Sequence, residues 1–196
     1  MILTRGEAVR LDAARVRTAD GVERLYMGGG GVGLDAEAAR FASGVYRRMR
    51  GRSRYLLSAI RALGKFRGIY VRVSLEGSEQ TSLEGMALVL GVLNTPSYGG
   101  GLRLAPEANL EDGKLDLVLL ENLSVVEILK MLPRMAATGE IRTQRIQRHC
   151  VTRARIETER PCAFHADGEI IGMTPMEIEV VPRAMRVWRP RPESAG

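Results

Sequence analysis

Three Asp-Gly pairs, Asp20-Gly21, Asp112-Gly113 and Asp167-Gly168, punctuate this chain, and apolar stretches flank them. An Asp-Gly pair so placed is the strongest short-range signal for a tight antiparallel turn, because both residues tolerate the left-handed backbone such turns need. With 22 glycines and only 5% aromatic residues in 196, a β-rich fold with many connections is expected rather than a helical bundle. The hydrophobic fraction of 45% is enough for a substantial core at this length.

Strand patterns occupy much of the chain. Residues 6–12 and 14–17 read as short strand pieces, and 22–27 as a strand following the Asp20-Gly21 turn. Residues 69–75 alternate, while 86–93 form a continuously apolar run suited to the centre of a sheet, with 76–82 as a polar hairpin link. Further strands are expected at 114–120, 147–158, 162–165, 176–181 and 185–188, with Pro175 and Pro182 at strand ends and a frayed tail from Arg189 onward. Helices are expected at 35–49 and 53–66, the second carrying Leu56, Ile60 and Leu63 on one face. A third is expected at 124–136, where Ser124 and Glu127 make a capping box and Pro133 should bend or shorten the last turn. Its apolar face suits core packing or, alternatively, a lipid-chain pocket. No repeat or linker divides the chain, so residues 1–196 read as one domain. The expected fold class is α+β and β-rich, a two-layer antiparallel β-sandwich with a helical insertion at 35–66.

The net charge of +6 and isoelectric point near 9.8 point to an anionic partner: nucleotide phosphate, nucleic acid or an acidic membrane surface. Lysine occurs only at Lys65, Lys114 and Lys130, an arginine skew that genomic composition explains as readily as function. The basic knot at 47–54 is either a solvated turn or a contact for anionic headgroups. Cys150 and Cys162 make no disulfide framework, and no signal peptide is recognisable, so a cytoplasmic location is expected, with any membrane contact peripheral to the inner face. The longest apolar run, about eight residues, is far short of a bilayer span. His149, Cys150, Cys162 and His165 suggest zinc, but neighbours at odd spacing on strands face opposite sides, so a zinc site is not expected.

Two stretches carry chemistry. In F-H-A-D-G-E at 164–169, Glu169 should stand at the mouth of a hairpin, held by rigid strands as a general base must be; a solvated strand end would read the same way. Asp167 shapes the turn and, with Gly168, is expected to assist metal or phosphate binding. The second stretch, 94–117, is too long for a hairpin loop, and long irregular loops are usually functional or mobile. Within it, the Asp112-Gly113 turn could surround a hard cation such as Mg2+, or be an ordinary Asx turn. The glycines at 28–31, before a helix capped by Asp35, would also fit a phosphate cradle. The match to G-x-G-x-x-G at Gly28, Gly30 and Gly33 is nearly automatic inside such a run, and no strand-helix-strand unit with an acidic residue follows it.

Taken together, these segments resemble the C-terminal half of the diacylglycerol kinase catalytic family, which includes bacterial soluble lipid kinases and sphingosine kinases. The resemblance rests on the strand ending in G-V-G-L-D-A at 26–36, N-x-x-x-Y-G-G-G at 94–101, A-P-E-A-N-L-E-D-G-K-L-D-L at 105–117 and H-A-D-G-E at 165–169. It implies the C-terminal domain of the NAD kinase/diacylglycerol kinase-like fold. Glu169 would be the base for a lipid hydroxyl, and Asp112, with the carbonyls of Asn109 and Lys114, would match a structural Mg2+ site. The nucleotide-binding domain with its G-G-D-G-T motif, which would bind most of the ATP, is absent from this chain, so the chain alone is expected to be inactive. Gly28 stands where such proteins usually carry Asn. The leading expectation is thus the substrate-side half of an ATP-dependent kinase of a diacylglycerol-like lipid. Its partners would be the lipid and a membrane surface, without nucleic acid, and a homo-oligomer could form through exposed sheet edges. The alternatives are a non-catalytic module binding anionic lipid or nucleic acid, and a small-molecule or dinucleotide kinase on the same fold.

Overall fold

The computed structural model describes residues 6–34, 36, 68–98, 102–121, 123–141 and 143–190. The expected helical insertion at 35–66, with its basic knot, lies outside the described residues except for position 36, as do the tail beyond Pro190 and part of the Y-G-G-G segment.

The strands, in chain order, are β1 (Gly6–Thr18), β2 (Glu23–Tyr26), β3 (Gly29–Gly33), β4 (Ile69–Glu76), β5 (Ser82–Leu93), β6 (Leu115–Glu121), β7 (Ile146–Val151), β8 (Arg153–Thr158), β9 (Ala163–Ala166), β10 (Glu169–Met173) and β11 (Met176–Pro190). One described helix, α1 (Val125–Thr138), lies between β6 and β7. Every paired strand runs antiparallel to its neighbour. β5 belongs to two layers. Its first half pairs with β4, leading on to β8, β11, β1 and β2, and its second half pairs with β3 on one side and β6 on the other. The second layer therefore runs β10-β9-β3-β5-β6-β7. The expected sandwich is present, and it curls toward a barrel: a Cβ added at Gly172 in β10 would lie 2.7 Å from Thr18 at the end of β1.

The two layers enclose one apolar core. Val16, Val71, Val73, Ile156 and Ile178 face Val32, Leu90, Val92, Leu117 and Phe164 across it, all buried. Alternation explains this pattern, since residues two apart share a face of the sheet. On the outer face of the second layer, α1 contributes Ile128 and Met131 against Leu88, Val89, Leu120 and Leu123. Beside them, Leu93, Tyr98, Leu104 and Val118 form a further cluster. The outer face of the first layer carries a ladder of ion pairs, including Arg15 with Glu179 at 3.2 Å and Arg155 with Glu177 at 3.2 Å.

Several elements differ from the sequence expectation, among them β1, which is one strand, Gly6–Thr18, rather than two pieces at 6–12 and 14–17. Residues 147–158 are two strands, because the chain changes layer at Thr152: β7 pairs with β6, while β8 pairs with β4 and β11. Residues 176–190 are one strand rather than two, with the interruption near Pro182 accommodated as an irregularity opposite Asp12. The glycine run is largely a strand: β3 pairs with both β5 and β9, so most of its amides serve the sheet. A Cβ at Gly30 would lie 2.5 Å from the Phe164 ring and 2.7 Å from the His165 carbonyl, so close strand packing requires glycine there. Finally, Pro133 does not shorten α1, which continues to Thr138, two residues past the expected end; the expected capping box is formed, with the Ser124 amide donating to Glu127 at 2.8 Å and the Glu127 amide to Ser124 Oγ at 3.3 Å.

Candidate active site at one end of the sandwich

The β9–β10 hairpin turns on Asp167 and Gly168, both in the left-handed region at φ 48° and 89°, the signature of a type I′ turn. Glu169 pairs with Ala166 across the hairpin and is exposed. Cross-strand partners face the same side of a sheet, so Glu169 stands on the face that deeper in the molecule becomes core, at its open rim. Among the described residues nothing forms a hydrogen bond or ion pair with its carboxylate. A carboxylate on a short, fixed hairpin and open to solvent can reach an incoming hydroxyl.

Asp167 is engaged differently. Its Oδ2 accepts the Met27 amide at 2.8 Å, and its Oδ1 accepts those of Gly28 at 2.9 Å and Gly29 at 3.2 Å. Three successive backbone N–H groups form a nest for an anion, and Asp167 fills it. A Cβ at Gly28 would lie 2.9 Å from Asp167 Oδ1, so a residue without a side chain lets the carboxylate approach. Thr95 Oγ1 donates to the Gly28 carbonyl at 3.2 Å, bringing the start of the long loop to the hairpin.

The Asn109–Lys114 turn is anchored from β1. Asp12, buried where the β1–β11 register slips, accepts the Gly113 amide at 2.7 Å and the Arg183 amide at 2.8 Å, while its own amide donates to Leu110 O at 2.7 Å. Asp112 Oδ1 accepts the Lys114 amide at 3.0 Å, and Asn109 Oδ1 that of Glu111 at 3.1 Å, both Asx turns. Nearby Asp116 is pushed up to about 6, first by burial and then by the negative charges of Asp112 and Glu107, with Arg148 opposing. Burial first, and then the charge of Asp116 with smaller effects of Asp112 and Glu107, raise Cys150 against the opposing charge of Lys114. Among the described residues, no three His, Cys, Asp or Glu side chains gather as a metal cluster. Asp112 is a single carboxylate in an electronegative neighbourhood, a donor set that fits a weakly held, mostly hydrated Mg2+ better than a tight site. The four suspected zinc ligands are dispersed: β7, carrying His149 and Cys150, is separated from β9 by β6, β5 and β3.

Sequence reasoning misses three features. The Asp12 anchor lies in no motif; the buried Asn94 and a hydrogen bond between Tyr98 Oη and His165 Nε2 involve residues of the 94–101 and 165–169 motifs whose contacts are not legible there. The available signal for Asp12 was a lone carboxylate among alternating apolar residues. Tyr98 lies over Gly29, where a Cβ would approach its ring to 2.9 Å. Tyr26, fully buried, is raised above its ordinary value by desolvation and by Asp167, and donates to Val92 O at 3.1 Å.

The chain is thus a two-layer antiparallel β-sandwich domain with a clamped hairpin and a carboxylate-bearing turn at one end. Residues 28–189 match the model of the YegS C-terminal NAD kinase beta sandwich-like domain. The chain belongs to that domain family, and curated relatives that it matches are named diacylglycerol kinase or probable lipid kinase YegS-like. It is 30% identical over 195 residues to a protein named diacylglycerol kinase from Mycobacterium tuberculosis (strain H37Rv), covering 97% of this chain and 60% of that protein. It is 33% identical over 149 residues to a probable lipid kinase YegS-like from Stenotrophomonas maltophilia (strain K279a), covering 74% of this chain and 46% of that protein. A crystal structure of a putative diacylglycerol kinase from Bacillus anthracis str. Sterne superposes with a TM-score of 0.67 at 20% identity, over 94% of this chain and 57% of that one, and supports the fold. The chain thus spans between about half and three-fifths of these relatives' lengths. Among the described residues, no helix is long and apolar enough to cross a membrane.

Proposed function

We propose that this chain is the acceptor-side half of an ATP-dependent lipid kinase acting on a diacylglycerol-like hydroxyl, with Glu169 as general base. The observation that carries the reading is the exposed Glu169 carboxylate on a type I′ hairpin whose turn is clamped by three backbone amides. In the reaction, Glu169 takes the proton from the lipid hydroxyl as its oxygen bonds to the γ-phosphorus of ATP. The bond to the bridging oxygen breaks, and ADP leaves with that electron pair. Such a base contributes roughly 10²–10⁴-fold, while most of the remaining catalysis is positioning and charge neutralisation. The γ-phosphate would be delivered by a nucleotide-binding domain in the longer parent protein.

Mg2+, where bound, would neutralise negative charge beside the reaction. On this chain, Asp112 and the carbonyls of Asn109 and Lys114 would hold it, and it would offset the charges of Asp112 and Glu107 that add to burial in raising Asp116. Asp167 serves the proposed site by fixing the turn, since both its oxygens already accept backbone amides. A binding module driven by arginines draws less support, because Arg15, Arg17, Arg153 and Arg155 are engaged by carboxylates. The decisive assay offers the full-length parent labelled ATP with diacylglycerol, a small-molecule alcohol or a dinucleotide, comparing wild type with Glu169→Ala. Lipid labelling that Glu169→Ala abolishes is expected; labelling only of the other acceptors, or lipid labelling unchanged in the variant, overturns the proposal.

A further inference from the structure

The hairpin that carries Glu169 and the turn that carries Asp112 are joined through the interior by an unbroken series of hydrogen bonds. At the hairpin, Asp167 holds the amides of Met27, Gly28 and Gly29. The carbonyls of that same segment face Asn94: Met27 O accepts from Asn94 Nδ2 at 3.0 Å, and Gly28 O from the Asn94 amide at 2.9 Å. The other Nδ2 hydrogen goes to the Asp12 carbonyl at 2.9 Å. Asp12 completes the series through its carboxylate to Gly113 at 2.7 Å and through its amide to Leu110 at 2.7 Å.

Both central residues are 1% exposed, so water does not compete for these bonds, and a buried carbonyl left unpaired is costly. The orientation of the Asn94 amide is fixed by its partners, because a flipped side chain would set its oxygen against two carbonyl oxygens. Asp12 reaches the turn because the β1–β11 pairing slips between Leu11 and Ala13. A bulge of this kind re-aims a side chain and is common beside active sites. The same carboxylate secures Arg183, which adopts φ 54°, on the opposing strand.

We infer that Asn94 and Asp12 are positioning residues that lock the Glu169 hairpin and the Asn109–Lys114 turn into one rigid unit, so that base and cation turn keep a fixed separation. What the two ends do rests on the lipid-kinase reading; the coupling between them does not. Neither residue touches substrate. Removing the Asn94 side chain breaks the link at its middle and frees both ends, and disturbing either end is felt at the other through it.

Amide hydrogen exchange on the 196-residue chain tests the coupling without any kinase assay. In Asn94→Ala, the Gly113 amide, bonded to Asp12, and the Met27 and Gly28 amides, bonded to Asp167, each exchange about tenfold faster than the global stability change explains, while Val71 and Val73 in β4 follow global stability. Acceleration at one end alone, or a uniform change, overturns the inference. Should Asn94→Ala fail to fold, Asp167→Asn at the exposed turn decides: Gly113 should exchange about threefold faster although Asp167 does not touch it, and an unchanged Gly113 rate overturns the inference. In the full-length parent, Asn94→Ser should lower kcat about tenfold and raise half-saturating Mg2+ about fivefold at constant lipid KM; a loss of active fraction alone, with Mg2+ dependence unmoved, contradicts it.

Discussion

Asp167→Ala tests the clamp that the hairpin depends on, and its cost can be worked from three hydrogen bonds and one backbone angle. The carboxylate accepts amides at 2.8, 2.9 and 3.2 Å. Bonds to a charged acceptor are worth about 1.5–3 kcal/mol when well buried, but Asp167 is exposed, which brings each toward ~0.5–1 kcal/mol, or ~2 kcal/mol for the set. At φ 48°, alanine adds about 1 kcal/mol of left-handed strain that aspartate tolerates better. The expected loss is ~3 kcal/mol for Asp167→Ala, ~2 kcal/mol for Asp167→Gly, which removes the clamp without the strain, and ~1 kcal/mol for Asp167→Asn, which keeps one acceptor oxygen. Urea unfolding with unchanged m-values reads these differences directly. An alanine variant within about 0.5 kcal/mol of wild type, or a glycine variant equal to it, would refute the clamp.

Asp116 should make stability depend on pH. Its folded value of about 6 lies above the ordinary 3.8, so the protonated form is favoured by folding, and stability falls as pH rises from about 4 to 6, by at most ~3 kcal/mol and less after solvent screening. Asp116→Asn should therefore stabilise the chain at pH 7 and leave it unchanged at pH 3; equal effects at both, measured by urea titration, would contradict the assignment. Titrating Mg2+ while following the Asp116 carboxyl by NMR should lower its pKa toward the ordinary range, and a pKa indifferent to Mg2+ would remove the Asp112 turn from metal binding. Gly30→Ala should destabilise more than Gly29→Ala. The added methyl at 30 meets the His165 carbonyl at 2.7 Å, whereas at 29 it meets the side chains of Leu93 and Tyr98, which can shift. Thermal unfolding of the two variants gives the order.

The sequence carried the hairpins and the strand faces, because period-two alternation and Asp-Gly chemistry are local signals. Glu169 was legible for the same reason: an Asp-Gly pair fixes its register against Ala166. Layer changes were not legible. Nothing in the alternation of residues 147–158 marks Thr152 as the point of transfer; its amide donates to Glu76 O at 2.8 Å and its carbonyl accepts the Val180 amide at 2.9 Å, partners from distant parts of the chain. The glycine run looked like a loop because glycine is a poor strand former in isolation; only its neighbours Phe164 and Leu93 explain why side chains are excluded there. The partners of Asp12 and Asn94 were hidden for a related reason: a buried polar residue is defined by the groups it satisfies, and Asp12 lies 82 residues from Asn94 and 101 from Gly113.

The central claim is that one carboxylate, presented by a clamped turn, removes the acceptor proton. The direct measurement is single-turnover phosphoryl transfer from ATP to diacylglycerol by the full-length parent, wild type against Glu169→Gln, which keeps size and hydrogen bonding but cannot take a proton. A chemical step slowed by about 10²-fold or more, with lipid affinity within a few fold of wild type, is predicted; a step slowed by less than about threefold would contradict it.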